Sequence, residues 1–264
     1  MQNKLPLTIN ELYGKRINLH THTKRCKHAA GEDKEYVEKA IEAGYDVLGF
    51  SDHTPYIFDG NRISPIRMSI DELEGYVSSI ERLKKEYKND IIIYCGLEVE
   101  YFPKRFEKTM EEIKKYPLDY MILGQHYFDD EVGYIHVGKE WGDEEHLEMY
   151  VNRVMEALNQ DCFLYVAHPD IINFIGPEHI YVKHMSRLAN ELKKRNMPIE
   201  ININGFRDGI HYPNKKFIDI GVQNGNEFII GVDAHSPEEL LDKINYIEAM
   251  KMVIERRGIT ICNI

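Results

Sequence analysis

With 264 residues, 43% of them hydrophobic, the chain has material for a sizeable core and a length that suits one or two domains, a single α/β barrel included. A formal net charge of −11 argues against a nonspecific nucleic-acid binder and against docking on an anionic membrane, although a local cluster of metals and arginines would still admit a small phosphorylated substrate. Four scattered cysteines (Cys26, Cys95, Cys162, Cys262), no apolar run near 18 residues and no secretory signal in "MQNKLPLTINELYGKR" lead us to expect a reduced, cytoplasmic protein with no membrane span.

After an N-terminal extension (1–16), the first expected strand, "INLH", runs into His20 and His22, with His28 in the following loop. The helix "DKEYVEKAIEAG" ends on Gly44 as a C-cap, and the strand "DVLGFS" leads to His53 in "SDH". A long loop, "TPYIFDGNRISPIRMS", carries Arg62 and Arg67 and reads as a substrate-covering flap. Ser69 opens the helix "SIDELEGYVSSIERLKKEY". The strand "IIIYCGLEV" delivers Glu98, and "YMILGQ" delivers His126. The helix "DEEHLEMYVNRVMEALNQ" precedes the strand "CFLYVA", which delivers His168 in "AHPD". The helix "EHIYVKHMSRLANELKKRN" leads to the strand "PIEINI" and to Arg207 in "NGFRDG". The strand "FIIGVD" brings Asp233 and His235, Ser236 caps the helix "SPEELLDKINYIEAMKMV", and "GITIC" reads as a short last strand. Strand–helix alternation with apolar strands implies a parallel sheet covered by helices. Seven such units without a linker, repeat or low-complexity tract favour a closed or nearly closed barrel over two domains.

Residues that bind metals fall at the C-terminal ends of nearly every strand, the face that carries active sites in parallel α/β folds. His20, His22, His28, His53, His126, His168 and His235, with Glu98 and Asp233, would share one rim. Residues i and i+2 of a strand point the same way, so His20/His22 and Asp233/His235 can act as pairs. A single histidine at a strand end is ordinarily a satisfied or solvated residue. Seven of the twelve histidines in such slots are not, because packing those rings together without a metal would cost on the order of several kcal/mol. The other five (His136, His146, His179, His184, His211) show no pattern. Imidazole with carboxylate suits zinc, iron, manganese or cobalt. A metal takes roughly four protein ligands or fewer, so this set implies two or three ions bridged by a carboxylate. Such centres hydrolyse phosphate esters, the metals supplying hydroxide as nucleophile.

"HTH" with a further histidine six residues on, then "SDH", "GLEVE", "GQH", "AHPD" and "GVDAH", resembles the polymerase-and-histidinol-phosphatase (PHP) superfamily over 17–236. "CKHA", "SDHTPY", "RISPIRMS", "AHPDII" and "EININGFRDG" followed by "YP" resemble its stand-alone histidinol-phosphate phosphatases. The resemblance implies a distorted (β/α)7 barrel over 17–264, a trinuclear centre at the strand ends, and hydrolysis of L-histidinol phosphate to L-histidinol and phosphate in histidine biosynthesis. It implies a first metal on His20, His22, Glu98 and Asp233, a second on Glu98, His126 and His168, and a third on His28, His53 and His235. Asn18 stands where the family commonly has an acidic residue, and the extension 1–16 is a candidate cap for the closed end.

Arg207 on the catalytic rim is a candidate phosphate clamp, with Arg62 and Arg67 as further candidates. Asp52 reads as a supporting residue, Cys26 as packing, and Tyr127 and Trp141 as candidate pocket walls for the substrate imidazole. The expected partner is a small phosphate ester, with no nucleic acid and no membrane; oligomeric state and the choice among zinc, iron and manganese stay open. Related barrels act on nucleotides, phosphotyrosine, sugar phosphates or DNA ends, and an inactive metal-binding module or an amidohydrolase-type barrel are the competing classes. No basic, aromatic stripe favours DNA, every ligand slot is filled, and Glu98 and His126 stand where an amidohydrolase would want a carboxylated lysine.

Overall fold

The computed structural model describes residues 6–60, 62–133 and 135–263. In chain order the elements are β1 (Ile17–Asn18), α1 (Asp33–Ala43), β2 (Val47–Phe50), α2 (Leu73–Glu86), β3 (Ile92–Val99), α3 (Phe106–Ile113), β4 (Tyr120–Leu123), β5 (Glu140–Trp141), α4 (Glu144–Leu158), β6 (Asn173–Phe174), α5 (Glu178–Lys194), β7 (Ile199–Asn202), α6 (Ile203–Asp208), α7 (Lys215–Asn224), β8 (Glu227–Gly231), α8 (Lys243–Ile254) and β9 (Ile259–Thr260). Every ladder between them is parallel, in the orders β1-β2-β3-β4, β7-β8-β9 and β5-β6. Strands β2, β4 and β7 are buried at every position, as a parallel sheet covered on both faces requires.

The sheet is curled. Val166 bridges Leu123 on one side and Ile199 on the other, and Thr21 bridges Ala234 just past the ends of β1 and β8. The expected strand "CFLYVA" is therefore only this pair of bridges. Asp161 and His168, both left-handed (φ 50° and 29°), bend the chain at either end of it and leave too little extended backbone for a ladder. The helix expected over "SPEELLDKINYIEAMKMV" is also divided. Asp242 ends a 3-10 turn (Pro237–Leu241), and its carboxylate accepts from Asn245 N–H to start α8. Helices α3, α6 and α7 and the short β5/β6 pair were not expected, whereas the Gly44 cap and the final β9 strand are present.

Inside the curl, Tyr120 spans the sheet and donates to Leu19 O (2.7 Å) and Phe50 O (3.0 Å), satisfying a hydroxyl that burial would otherwise strand. Gly49 and Gly96 make room for it, since a Cβ at either would overlap the Tyr120 ring or hydroxyl. Outside, α5 packs Tyr181, His184, Met185, Leu188 and Leu192 inward at helical spacing, each large apolar chain adding roughly 1.5–3 kcal/mol of burial. Of the extension, Leu7 and Leu12 enter the core, Leu7 N–H donates to Asp119 O, and the Tyr13 hydroxyl reaches Glu227. These contacts lie where β4 and β8 begin, opposite the strand ends that carry the histidines; residues 1–5 and 264 lie outside the described residues. Among the described residues, no helix is long and apolar enough to cross a membrane.

Candidate metal centre

The nine expected residues converge. Glu98, at the end of β3, is the hub: its Oε1 lies 3.0 Å from His168 Nε2, 3.6 Å from His20 Nε2 and 3.8 Å from His126 Nε2. Its Oε2 lies 2.8 Å from His53 Nδ1 and 3.7 Å from His22 Nε2. Asp233 Oδ1 lies 3.0 Å from His22 Nε2, 3.4 Å from His20 Nε2 and 3.6 Å from His235 Nδ1. His235 stacks on His22 at 4.3 Å, and His28 stands 4.9 Å from His235 and 5.3 Å from His53 between ring centroids. Donor atoms gather within reach of a single ion in several sets, among them His20/His22/Glu98, His20/His168/Asp233 and His22/His53/His235. In the last set His22 joins the histidines expected for another ion, and in a further set the Cys26 thiol joins His28 and His235.

Two glycines, one just past β4 and one ending β8, make the hub possible. A Cβ at Gly124 would overlap Glu98 Oε1, and one at Gly231 would overlap Glu200 Oε1. Glu200, on β7, is the residue that sequence reasoning missed. Its Oε1 lies 2.9 Å from His20 Nδ1 and its Oε2 accepts from His168 N–H at 2.6 Å, so His20 presents Nε2 to the centre. The signal was in "PIEINI": a glutamate amid apolar residues on a buried strand.

Glu200 also accounts for Asn18. With a carboxylate already behind His20, position 18 is free to stitch backbone. The Asn18 amide donates to His20 O (3.1 Å) and Thr21 Oγ1 (2.7 Å), while its oxygen accepts from His20 N–H (3.1 Å) and Val232 N–H (2.9 Å). A carboxylate has no donor and could not do both.

The donor chemistry fits divalent cations. His20 Nε2, Glu98 Oε2 and Asp233 Oδ1 are buried without a hydrogen-bond partner, a costly state that a cation among them would relieve. Burial works to raise Glu98 and Asp233, but the facing histidines outweigh it and hold both carboxyls well below their usual range. Burial opposes protonation of His20 as well, yet Asp233, Glu200 and Glu98 push it up to about 9. His53, His126 and His28 are lowered, chiefly by burial, and burial together with His22 brings His235 down to about 3. Against burial, the facing carboxylates raise His22 and His168 as well, so a cation at the centre would displace protons there, since ionised carboxylates and neutral imidazoles are the forms that bind metal. His168 and Asp233 are held in the left-handed region (φ 29° and 52°), strain on the order of 1–3 kcal/mol each that the surrounding structure sustains.

These groups, the fully buried His20 excepted, floor a cavity of about 650 Å³. Its wall contains Tyr127, as expected, and also His136 and His211, two histidines that showed no pattern in the sequence. Burial, with His168 and His211 adding to it, lowers His136 to about 4. Trp141 is not on the wall; it donates to Val137 O and stacks on His146 at 4.0 Å.

The flap arginines do not line the cavity either. Arg67 is fully buried and ion-paired to Glu100 and Glu131, because a guanidinium enclosed on this side of β3 must be neutralised in place. Arg62 is exposed, 5.8 Å over the Phe58 ring. Glu100 Oε1 in turn accepts from the N–H groups of His126 (2.6 Å) and Tyr127 (3.1 Å), which makes the buried pair a brace for that loop. Arg207, on α6, pairs with Glu239 (3.0 Å) and donates to Asn204 (2.7 Å), while its Nη1 is buried without a partner. Lys139 is the one lysine or arginine on the cavity lining among the described residues. Asp52 supports its neighbours, accepting from His53 N–H (2.8 Å) and from the Thr23 hydroxyl. Cys26 is fully buried, and burial pushes its thiol up to about 11.

Known proteins share this arrangement of chain. The family described as PHP domain matches residues 18–204. A protein of Deinococcus radiodurans named probable histidinol-phosphatase is 26% identical over 263 residues, covering 92% of this chain and 94% of its own. The histidinol-phosphatase of Bacillus subtilis is 25% identical over 247 residues, covering 82% and 92%. Among solved structures, histidinol phosphate phosphatase of Lactococcus lactis subsp. lactis, complexed with zinc, L-histidinol and phosphate, aligns with a TM-score of 0.73 at 20% identity, covering 93% of this chain and 95% of that one. At that identity the likeness is one of fold.

Proposed function

The chain belongs to the PHP domain family, and from that premise we propose that it is a metal-dependent phosphomonoesterase hydrolysing L-histidinol phosphate to L-histidinol and phosphate. The observation that carries this reading is the floor of the cavity: six imidazoles and two carboxylates, with the buried His20 against them, gathered at strand ends and the loop after β1, with buried donor atoms left unpaired. Relatives that align over most of their length and are named histidinol-phosphatases support the substrate.

The same reading takes the curled sheet as a distorted (β/α)7 barrel, with the Val166 segment as the strand between β4 and β7 and the β1–β8 bridge as its closure. On this reading residues 17–264 are the catalytic barrel and 1–16 an extension, whose described part, 6–16, lies under the opposite end. Two or three divalent ions (zinc, iron or manganese) would be held by His20, His22, Glu98 and Asp233; by Glu98, His126 and His168; and by His28, His53 and His235. Such ions, when bound, supply Lewis acidity and bring water into its nucleophilic form near neutral pH.

The chain's own residues do the rest. Glu200 holds His20 with Nε2 toward the centre, and Glu98, which faces donors of several sets, would serve more than one ion. Arg207, which stands behind the cavity lining on Asn204, pairs with one carboxylate and keeps Nη1 unpartnered, whereas Arg67 is pinned between Glu100 and Glu131; Arg207 is therefore the proposed phosphate-gripping residue in place of Arg62 and Arg67.

The test is a phosphate-release screen of metal-loaded protein with histidinol phosphate, nucleoside monophosphates, phosphotyrosine and small sugar phosphates. Histidinol phosphate should lead by at least about tenfold in kcat/KM, or ~1.4 kcal/mol. Equal or better turnover of a nucleotide or phosphotyrosine overturns the substrate and leaves the phosphoesterase.

A further inference from the structure

Two histidines on the cavity wall have their tautomers set by main-chain hydrogen bonds, and they are set oppositely. Gly138 N–H donates to His136 Nδ1 at 2.9 Å, so that nitrogen carries no proton and Nε2–H is the donor of the ring. His211 Nε2 lies 2.6 Å from Ile171 O; a carbonyl only accepts, so Nε2 carries the proton and Nδ1 is left as the acceptor. The two rings flank Gly138, where a Cβ would stand 2.9 Å from His136 Nδ1 and 3.8 Å from His211 Cε1. Both line the same cavity as Glu98 and Asp233. Ile171, which orients His211, is itself tied to the floor, its N–H donating to His168 O at 2.9 Å.

We propose that His136 and His211 form the leaving-group subsite, a donor–acceptor pair that reads the two ring nitrogens of a neutral azole. The inference rests on the reading of the chain as a histidinol-phosphate hydrolase and deepens it. A neutral imidazole offers one acceptor nitrogen, for His136 Nε2–H, and one N–H, for His211 Nδ1. With an ordinary pKa of about 6.5, the imidazole of the substrate is mostly neutral above pH 7. A group lacking either nitrogen would leave one wall histidine unpaired in a partly dry cavity, and the unmade bond is what discriminates.

The experiment measures kcat/KM for L-histidinol phosphate and for p-nitrophenyl phosphate, which has no azole. The wild-type protein is also assayed with L-histidinol phosphate methylated on either ring nitrogen. Each methylated ester should fall by roughly 10- to 100-fold against the parent, the scale of one buried hydrogen bond left unmade. His136→Phe and His211→Phe should lower the ratio of the two kcat/KM values by a similar factor, mostly through KM. Both should weaken calorimetric binding of free L-histidinol in parallel. His211→Gln, which keeps a donor and an acceptor, should recover part of the ratio.

If the wild-type protein prefers histidinol phosphate but the methylated esters and the phenylalanine variants keep that preference, the subsite is wrong and the function stands. If the wild-type protein shows no preference for histidinol phosphate over p-nitrophenyl phosphate, the proposed function itself falls, and this inference with it.

Discussion

The floor of the cavity and its wall hold their functional groups by different means. Most floor residues sit at strand ends, and several histidines of the centre are oriented by a second bond: the buried His20 by Glu200, His28 on its loop by Cys26 O (2.7 Å), His235 by Asp233 O (3.0 Å). Around them the backbone is locked by the parallel ladders and by glycines that admit no side chain. Wall residues sit on the loops after β4 and α6, half-buried, each ring fixed by one main-chain hydrogen bond. The difference is functional. Metal chemistry needs donors placed to a few tenths of an ångström, which strands provide, whereas recognition of a leaving group can be rewritten on loops without moving the centre.

The harshest way to break the floor is Glu98→Ala. The side chain touches donors from His20, His22, His53, His126 and His168, so its loss unmoors more than one ion at once. Activity should drop well beyond the ~10–100-fold typical of losing an outer partner, and metal content by elemental analysis should fall with it. Full metal content with near-normal turnover would remove Glu98 from the centre.

That floor is legible in the sequence because strand ends of a parallel sheet share a face, which turns six short motifs into one place. What escaped were groups whose role depends on the third dimension. Glu200 lies at an ordinary strand position, and only its 2.9 Å approach to His20 distinguishes it. His136 and His211 sit in loops with no period, so nothing in spacing could bring them to one wall. Arg67 looked like a flap cation because a loop arginine is usually exposed; here Glu100 and Glu131 draw it fully inside. The strand "CFLYVA" was overcounted for a related reason. Its apolar run is real, but the left-handed turns at Asp161 and His168 shorten it to a bridge.

A gentler cut separates the ligands from what holds them. Glu200→Gln keeps the volume that Gly231 accommodates, but it places an amide where a carboxylate accepted from His168 N–H and faced His20 Nδ1. Metal affinity, measured by competition with a chelator, should weaken by roughly 10- to 100-fold, with kcat recovering at saturating metal. Unchanged affinity would mean that His20 is oriented by packing alone.

The smallest effect is expected at Arg207, which stands behind the lining on Asn204. Its guanidinium already serves Glu239, whose Oε2 also accepts from His235 N–H at 2.7 Å, so only part of its charge is available to a phosphoryl group. Arg207→Ala should therefore cost about tenfold in kcat/KM, or ~1.4 kcal/mol, with metal content unchanged because no proposed ligand is lost. The loss should be equal for histidinol phosphate and p-nitrophenyl phosphate, since both present the same phosphoryl oxygens. That equality distinguishes it from substitutions at His136 or His211, which should alter the ratio. Arg207→Lys should recover little, because an ammonium keeps the charge but has no second nitrogen to offer a phosphoryl oxygen while the first holds Glu239 and Asn204. Lys139→Ala is the companion measurement. If it costs more than Arg207→Ala on both substrates, the phosphate is gripped from the cavity lining by Lys139, and Arg207 acts only by holding Glu239 against His235.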